Sequence, residues 1–199
     1  MKKVLVVVDM QNDFCGPEGS LTTPEAQAIV PKVADYIRTP ADKDTVLVFT
    51  KDTHEVNYMD TQEGKHLPVA HCIKDTYGWE LAPAIQEALY DVRNQYHSFD
   101  SYFPYITDHI VCKPSFGSLD LVNLLYMLDD DTGMQPGDIA EITLMGLCTD
   151  ICIFANSVLA KTTLPEIPVR VVADCCAGVT PESHQRALDA MKMLQIEII

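Results

Sequence analysis

Cys148 and Cys152 lie one helical turn apart in GLCTDICIFANSVLA (146–160), just past a strand-like run, EITLMG. A cysteine attacks as its thiolate, and its pKa falls at a helix N-terminus or beside a cation. Cys152, in the expected first turn of a helix, is therefore a candidate nucleophile. Two more reactive side chains stand at or just past strand ends, Asp9 after VLVVV and Lys113 at the close of HIVCK. The three supply an acid or base, a cation and a thiol, the set that covalent catalysis uses as base, orienter and nucleophile. Asp9 is expected to take the thiol proton, and Lys113 to hold carboxylate and sulfur in place. Each type also has an ordinary use: Asp in a turn or cap, Lys in solvent, free Cys as a small buried hydrophobe. Their convergence at strand ends is what points to chemistry. A redox pair is disfavoured, because the spacing is CxxxC rather than CxxC.

A second constellation follows the second strand. Asp52 and His54 form Asp-x-His, and alternate residues of an extended segment face one side, which suits a metal ion. They belong to an irregular stretch, roughly 50–78, that holds three of the six histidines. Long stretches of this kind in compact domains are usually functional or mobile.

The elements that must position these residues are legible from periodicity. Runs rich in Val and Ile recur at 4–9, 45–49, 109–113, 141–146, 169–174 and 196–199, and read as strands buried on both faces. Helical periodicity fills 24–37, 79–92, 118–128, 149–160 and 181–194. Strand and helix alternate, which implies right-handed crossovers and a parallel sheet covered by helices. The expected fold is α/β, a three-layer α/β/α arrangement with an open, mainly parallel sheet of about six strands. Residues 1–199 are expected to form a single domain, a reasonable length for one core. Ligands of such sheets bind beyond the strand carboxyl ends, where the strand order reverses.

Composition narrows the partners. With 14 Lys+Arg against 29 Asp+Glu the net charge is −15, which repels nucleic acid and anionic membrane surfaces. The DDD at 129–131 reads as a solvated loop. The apolar run before Asp9 is too short for a signal peptide or a membrane span, so a cytoplasmic location is expected. Seven cysteines without framework spacing fit reduced thiols better than bridges.

Beyond single residues, VVVDMQNDFCGPEGSL (6–21), TKDTH (50–54), HCIKDTYG (71–78), CKPSFGS (112–118) and GLCTDIC (146–152) closely resemble the nicotinamidases and isochorismatase-like cysteine hydrolases. The resemblance runs on through VVADCCAGVTPESHQRAL (171–188). It implies a catalytic triad of Asp9, Lys113 and Cys152, the three residues singled out above. It also implies a cis peptide at Leu147–Cys148 and an oxyanion hole made by the backbone N–H groups of Cys148 and Cys152. For the metal it implies Asp52, His54 and His71, with a further ligand between these anchors. Asp60, Glu63 and His66 compete for that place. Glu63 is favoured because its offset from His54 resembles the family variant with a carboxylate ligand, and Asp60 comes second. Such a ligand set implies a divalent ion, Zn²⁺ first, with Fe²⁺ or Mn²⁺ as alternatives.

The implied activity is hydrolysis of a small carboxamide through a cysteine thioester, with nicotinamide to nicotinate plus ammonia as the leading reaction. Many nicotinamidases carry a Trp three residues before the HC pair, where this chain has Pro68. That departure keeps open a ureido, carbamoyl or other small amide substrate. A non-catalytic metabolite-binding scaffold is the alternative of another class. Phe14, Leu147, Tyr77 and Phe116 are the candidate lining of a substrate pocket. His97, His109 and His184 are read as structural. Relatives often assemble as dimers or tetramers, so a homo-oligomer is expected.

Overall fold

Valine-rich β1, Lys2–Val8, is apolar on both faces from Val4 onward and lies in the middle of the sheet, where both faces are covered. A computed structural model describes residues 1–39, 45–97, 108–129 and 138–199, leaving aside the side chains of 95–97 and 108. Beside β1 lie β2 (Thr45–Asp52) on one side and β4 (Ile139–Leu147) on the other. Strands β3 (Asp108–Lys113), β5 (Val169–Ala177) and β6 (Glu197–Ile198) complete the order β3-β2-β1-β4-β5-β6. Every pairing is parallel. The order reverses between β1 and β4, so the crevice expected to bind ligand opens at the carboxyl ends of those two strands. Asp9 follows one of them and Cys148 the other.

Helices cover both faces. On one, α2 (Pro24–Arg38) packs on α4 (Pro83–His97), whereas α5 (Leu119–Asp129), α6 (Phe154–Thr163) and α7 (Pro181–Met193) pack in series on the other. Short α1 (Asn12–Cys15) and α3 (Gln62–His66) belong to the site end. Thr23 caps α2 by accepting from the N–H of Ala26 at 3.1 Å, and Thr180 and Ser183 form a reciprocal cap on α7. Among the described residues no helix is long and apolar enough to cross a membrane. All seven cysteines are free.

Four expectations shift. The helix expected from residue 79 begins at Pro83, because a proline in the first turn loses no hydrogen bond there. Residues 50–78 are not structureless: β2 runs to Asp52, a 3-10 turn spans Tyr58–Asp60, α3 follows, and His54 bridges to Ile73. The segment after β4 opens with a π turn, Thr149–Ile153, before α6, its Cys148 carbonyl accepting from the N–H groups of both Ile151 (3.1 Å) and Ile153 (3.0 Å). Asp129 is more than a solvated charge, since its Oδ1 accepts from Ile139 N–H at 3.1 Å and ties α5 to β4. The rest of that acidic run, 130–131, and the side chain of His97 lie outside the described residues.

Gly146 is where β4 and β1 come closest. Its φ is +121°, and a Cβ there would lie 2.2 Å from the carbonyl oxygen of Val8. Only glycine allows the two site-bearing strand ends to meet in this way.

Candidate active site

Asp9 leaves β1 in a left-handed conformation, φ 50°, which turns its carboxylate into the crevice. Thr50 of β2 fixes it: the Thr50 hydroxyl donates to Asp9 Oδ1 at 2.6 Å, and the Thr50 carbonyl accepts from the Asp9 N–H at 3.1 Å. Lys113, at the end of β3 and 1% exposed, places Nζ 2.6 Å from Asp9 Oδ2, 3.3 Å from Asp52 Oδ1 and 3.5 Å from Cys152 Sγ. One ammonium thus joins the three residues expected to carry the chemistry. The cis peptide expected at Leu147–Cys148 is present.

Burial dominates the electrostatics. Desolvation raises the Asp9 carboxyl above its ordinary value, with Asp52 adding to it, against the pull of Lys113 and Thr50. Desolvation opposes charge on Lys113, but Asp9, Cys152 and Asp52 outweigh it and keep the ammonium charged. Cys152, 7% exposed, departs from expectation. Burial pushes its thiol well above the ordinary range, Asp9 adds to this, and Lys113 only partly offsets it. The helix end does not make a resting thiolate here. A proton acceptor must take the thiol proton, and the nearest carboxylate linked to the sulfur is Asp9, which Lys113 Nζ bridges to it at 2.6 and 3.5 Å.

The Asp-x-His segment forms a second cluster, with ligand atoms of Asp52, His54 and His71 all within 4.8 Å of one another. Asp52 Oδ2 is 3.0 Å from His54 Nε2 and 3.4 Å from His71 Nε2. Glu63, on α3, brings Oε1 to 3.8 Å from His54 Nε2 and 3.9 Å from His71 Nε2. Burial disfavours ionised Asp52, but hydrogen bonds from His54 and His71 and the charge of Lys113 hold it below the usual carboxylate range. Nδ1 of His71 donates to the Val69 carbonyl at 2.8 Å, which holds the ring with Nε2 toward Asp52, the nitrogen that would turn to an ion once it gives up its proton. Two imidazoles and two carboxylates converging at this spacing fit a divalent transition ion. Of the competing residues, Asp60 is exposed on the 3-10 turn, and His66 is exposed with Nδ1 2.8 Å from the Gln62 carbonyl.

A cleft of about 970 Å³ opens beside these groups, lined by His54, Glu55 and Glu63 together with Lys113, Phe116 and Ile151. Phe116 lines it, and the Phe14 ring packs tilted against the His71 ring at 5.5 Å between centroids. Tyr77 does not belong to it. That side chain is 68% exposed and borders a separate shallow depression with Pro17 and Glu18. Leu147 is buried in the core, so only its backbone is at the site.

Three contributors escaped the sequence reading. Thr50 lies inside TKDTH but is an ordinary strand residue by type. Gln11 pairs with Asp52 as a neighbouring strand would, accepting from its N–H at 2.7 Å and donating to its carbonyl at 2.8 Å. Tyr58 meets both imidazoles of the cluster, tilted against His54 at 4.6 Å and edge-on to His71 at 4.9 Å, while its hydroxyl donates to Leu67 O. A polar residue three positions past the first strand end and an aromatic one turn past His54 were the available signals.

A doubly covered parallel sheet whose switch point buries a thiol, a carboxylate and an ammonium beside a carboxylate–imidazole cluster defines a narrow class of α/β proteins. The chain belongs to the isochorismatase domain family, whose model matches residues 3–199. It is 25% identical over 228 residues to a nicotinamidase of Saccharomyces cerevisiae, covering 99% of each chain. The structure of the pyrazinamidase of Pyrococcus horikoshii in complex with zinc is similar, with TM-score 0.73 and 28% identity over 100% of this chain and 99% of that one. So is that of the N-carbamoylsarcosine amidase of Thermoplasma acidophilum, with TM-score 0.70 and 25% identity over 100% and 95%.

Proposed function

We propose that this protein hydrolyses a small, uncharged carboxamide through Cys152, with nicotinamide the first substrate to test. One observation carries the reading: Lys113 Nζ sits 2.6 Å from Asp9 and 3.5 Å from Cys152 Sγ in a group sealed from solvent. Family membership and nicotinamidase and amidase relatives at about 25% identity support amide hydrolysis.

In the proposed reaction Asp9 accepts the thiol proton as Cys152 Sγ bonds to the amide carbon. The backbone N–H groups of Cys148 and Cys152 receive the oxyanion. Protonated Asp9 then gives its proton to the leaving nitrogen, the C–N bond breaks, and ammonia departs from a thioester. A water molecule loses a proton to Asp9 and attacks, the C–S bond breaks, and the proton returns to sulfur as the acid leaves. Lys113 stays charged throughout and holds Asp9 and the sulfur within reach of each other.

Asp52, His54, His71 and Glu63 would hold a divalent ion, Zn²⁺ or otherwise Fe²⁺ or Mn²⁺, and the P. horikoshii pyrazinamidase in complex with zinc supports the first. When bound, such an ion supplies a positive point that anchors a ring nitrogen or its hydrating water and so orients the amide.

The lining favours an uncharged substrate over a carboxylate-bearing carbamoyl one. Lys113 is the one lysine or arginine among the described lining residues, and two carboxylates already pair with it, whereas Glu55 and Glu63 add negative charge. Ammonia release from nicotinamide, from neutral ureides and from N-carbamoyl amino acids, each with and without chelator, tests the reading. Turnover of nicotinamide is expected to exceed the others. Preference for the N-carbamoyl acids would move the assignment to a carbamoyl amidase, and no ammonia from any amide would favour a binding scaffold.

A further inference from the structure

One side chain ties the loop that carries Phe116 to the turn that carries Cys152. Asn156 lies on α6 one turn beyond the candidate nucleophile and is fully buried. Its Nδ2 donates to the Cys152 carbonyl at 2.8 Å and to the Phe116 carbonyl at 3.1 Å, and its Oδ1 accepts from the Ser118 N–H at 3.0 Å. Two acceptors on one side and one donor on the other settle the orientation of the amide, since a flipped group would set oxygen against oxygen twice. No hydroxyl or carboxylate at this place could serve all three.

The same loop lies close on α6, where a Cβ on Gly117 would come within 2.7 Å of Leu159 Cδ1, the movable end of that side chain. Ser118 passes the tether onward, its Oγ accepting from Leu121 N–H at the start of α5 at 3.1 Å. The segment between Lys113 and Ser118 is therefore pinned at both ends, and Pro114, Ser115 and Phe116 between them line the cleft.

We propose that Asn156 is a positioning residue for substrate recognition, setting the Phe116 wall of the cleft at a fixed distance from the turn that bears Cys152. Its kinetic consequence rests on the amide hydrolase reading above. Without the amide, two carbonyls and one N–H would be left unpaired in a buried place. The cheapest relief is for the loop to swing toward water, which withdraws Phe116 from the cleft.

The test is a double-mutant cycle of Asn156→Ala and Phe116→Ala with nicotinamide as substrate, together with site-resolved amide hydrogen exchange. Each single variant is expected to raise KM about tenfold while kcat changes less than about threefold, and the double variant to match Phe116→Ala, because the two act through one wall. Independent effects would multiply to about a hundredfold, and that result would overturn the proposal. Exchange at the Ser118 N–H is expected to quicken in Asn156→Ala with the central strands unchanged; an unchanged Ser118 rate overturns the tether. Should Asn156→Ala fail to fold, Asn156→Ser, which retains a polar group, takes its place in both measurements. Wild-type protein that turns over no amide defeats the hydrolase reading alone, and exchange at Ser118 then decides the tether by itself.

Discussion

The carboxylate of Asp9 and the ammonium of Lys113 stand 2.6 Å apart at the ends of two strands that are not neighbours, with β2 between them. Thr50 of that intervening strand steadies Asp9, and the last residue of the same strand, Asp52, takes a second contact from Lys113. The pair is thus held by three strand ends at once. Because the thiol of Cys152 is pushed up rather than down, the proposed reaction needs Asp9 as a proton acceptor and not merely as a neighbour of a thiolate.

That assignment has a pH signature. Asp9 and Cys152 share one proton over a range bounded below by the raised carboxyl and above by the raised thiol. Within the range the reactive form, thiolate beside neutral carboxyl, is a constant fraction, so alkylation of Cys152 by iodoacetamide should be flat across neutral pH. As pH falls through the Asp9 value, which lies above the ordinary 3.8, the acceptor is lost and both alkylation and kcat/KM should fall. In Asp9→Asn the plateau should vanish, alkylation should climb about tenfold per pH unit, and kcat should drop by roughly 10²- to 10⁴-fold. A plateau that survives in Asp9→Asn would assign the proton to another group.

Lys113 should matter to stability as well as to rate. Replacing it by Met leaves Asp9 and Asp52 buried without their shared cation, and breaking a buried pair from one side costs about 3–5 kcal/mol. At this chain length that corresponds to a fall of roughly 10 °C or more in Tm. The sign follows from Asp9: with its cation gone the carboxyl rises further, so the loss should be largest at neutral pH and shrink as acid neutralises it. Thermal unfolding of Lys113→Met at two pH values reads this directly, and an equal loss at both would argue against the electrostatic cause.

Glu63 is the residue favoured over Asp60 and His66 as the additional metal ligand. Its carboxylate reaches the two imidazoles at 3.8 and 3.9 Å, outside the tighter Asp52, His54 and His71 set. Removing its charge with Glu63→Gln should therefore weaken Zn²⁺ binding by about 10- to 100-fold without abolishing it. His66→Ala and Asp60→Asn should leave the affinity unchanged. Competition titration against a chromophoric chelator measures all three, and a loss in His66→Ala equal to that in Glu63→Gln would reassign the ligand.

What could be read from the sequence, and what could not, follows from range. The strand ends were legible because buried parallel strands are continuous apolar runs, and Asp9 and Lys113 break theirs by type. The π turn was not, since its residues, Thr149–Ile153, have the same helical periodicity as α6 and only the double acceptance by the Cys148 carbonyl tells the two apart. The depressed thiol expected of Cys152 failed for the same kind of reason: a helix end can be inferred from spacing, but the burial that outweighs it is a property of packing from several strands. Tyr77 misled because an aromatic beside a site motif carries no information on which way its ring turns.

Gly146 joins fold and chemistry in one atom that is absent. Its φ of +121° and the 2.2 Å approach of Val8 O leave no room for a Cβ, and both partners are backbone in central strands that cannot step aside. Gly146→Ala should cost about 2 kcal/mol or more, as strain at a glycine-only conformation adds to a steric clash. Because the clash separates β4 from β1 where Cys148 and Asp9 leave them, the damage should be larger in rate than in stability. Variant protein still folded at 25 °C, as judged by denaturant titration, should have lost at least about tenfold in kcat with its Zn²⁺ affinity unchanged, since Asp52, His54, His71 and Glu63 all lie on the far side of β1. A drop in metal affinity equal to the drop in rate would show instead that the substitution spreads through the sheet as a whole.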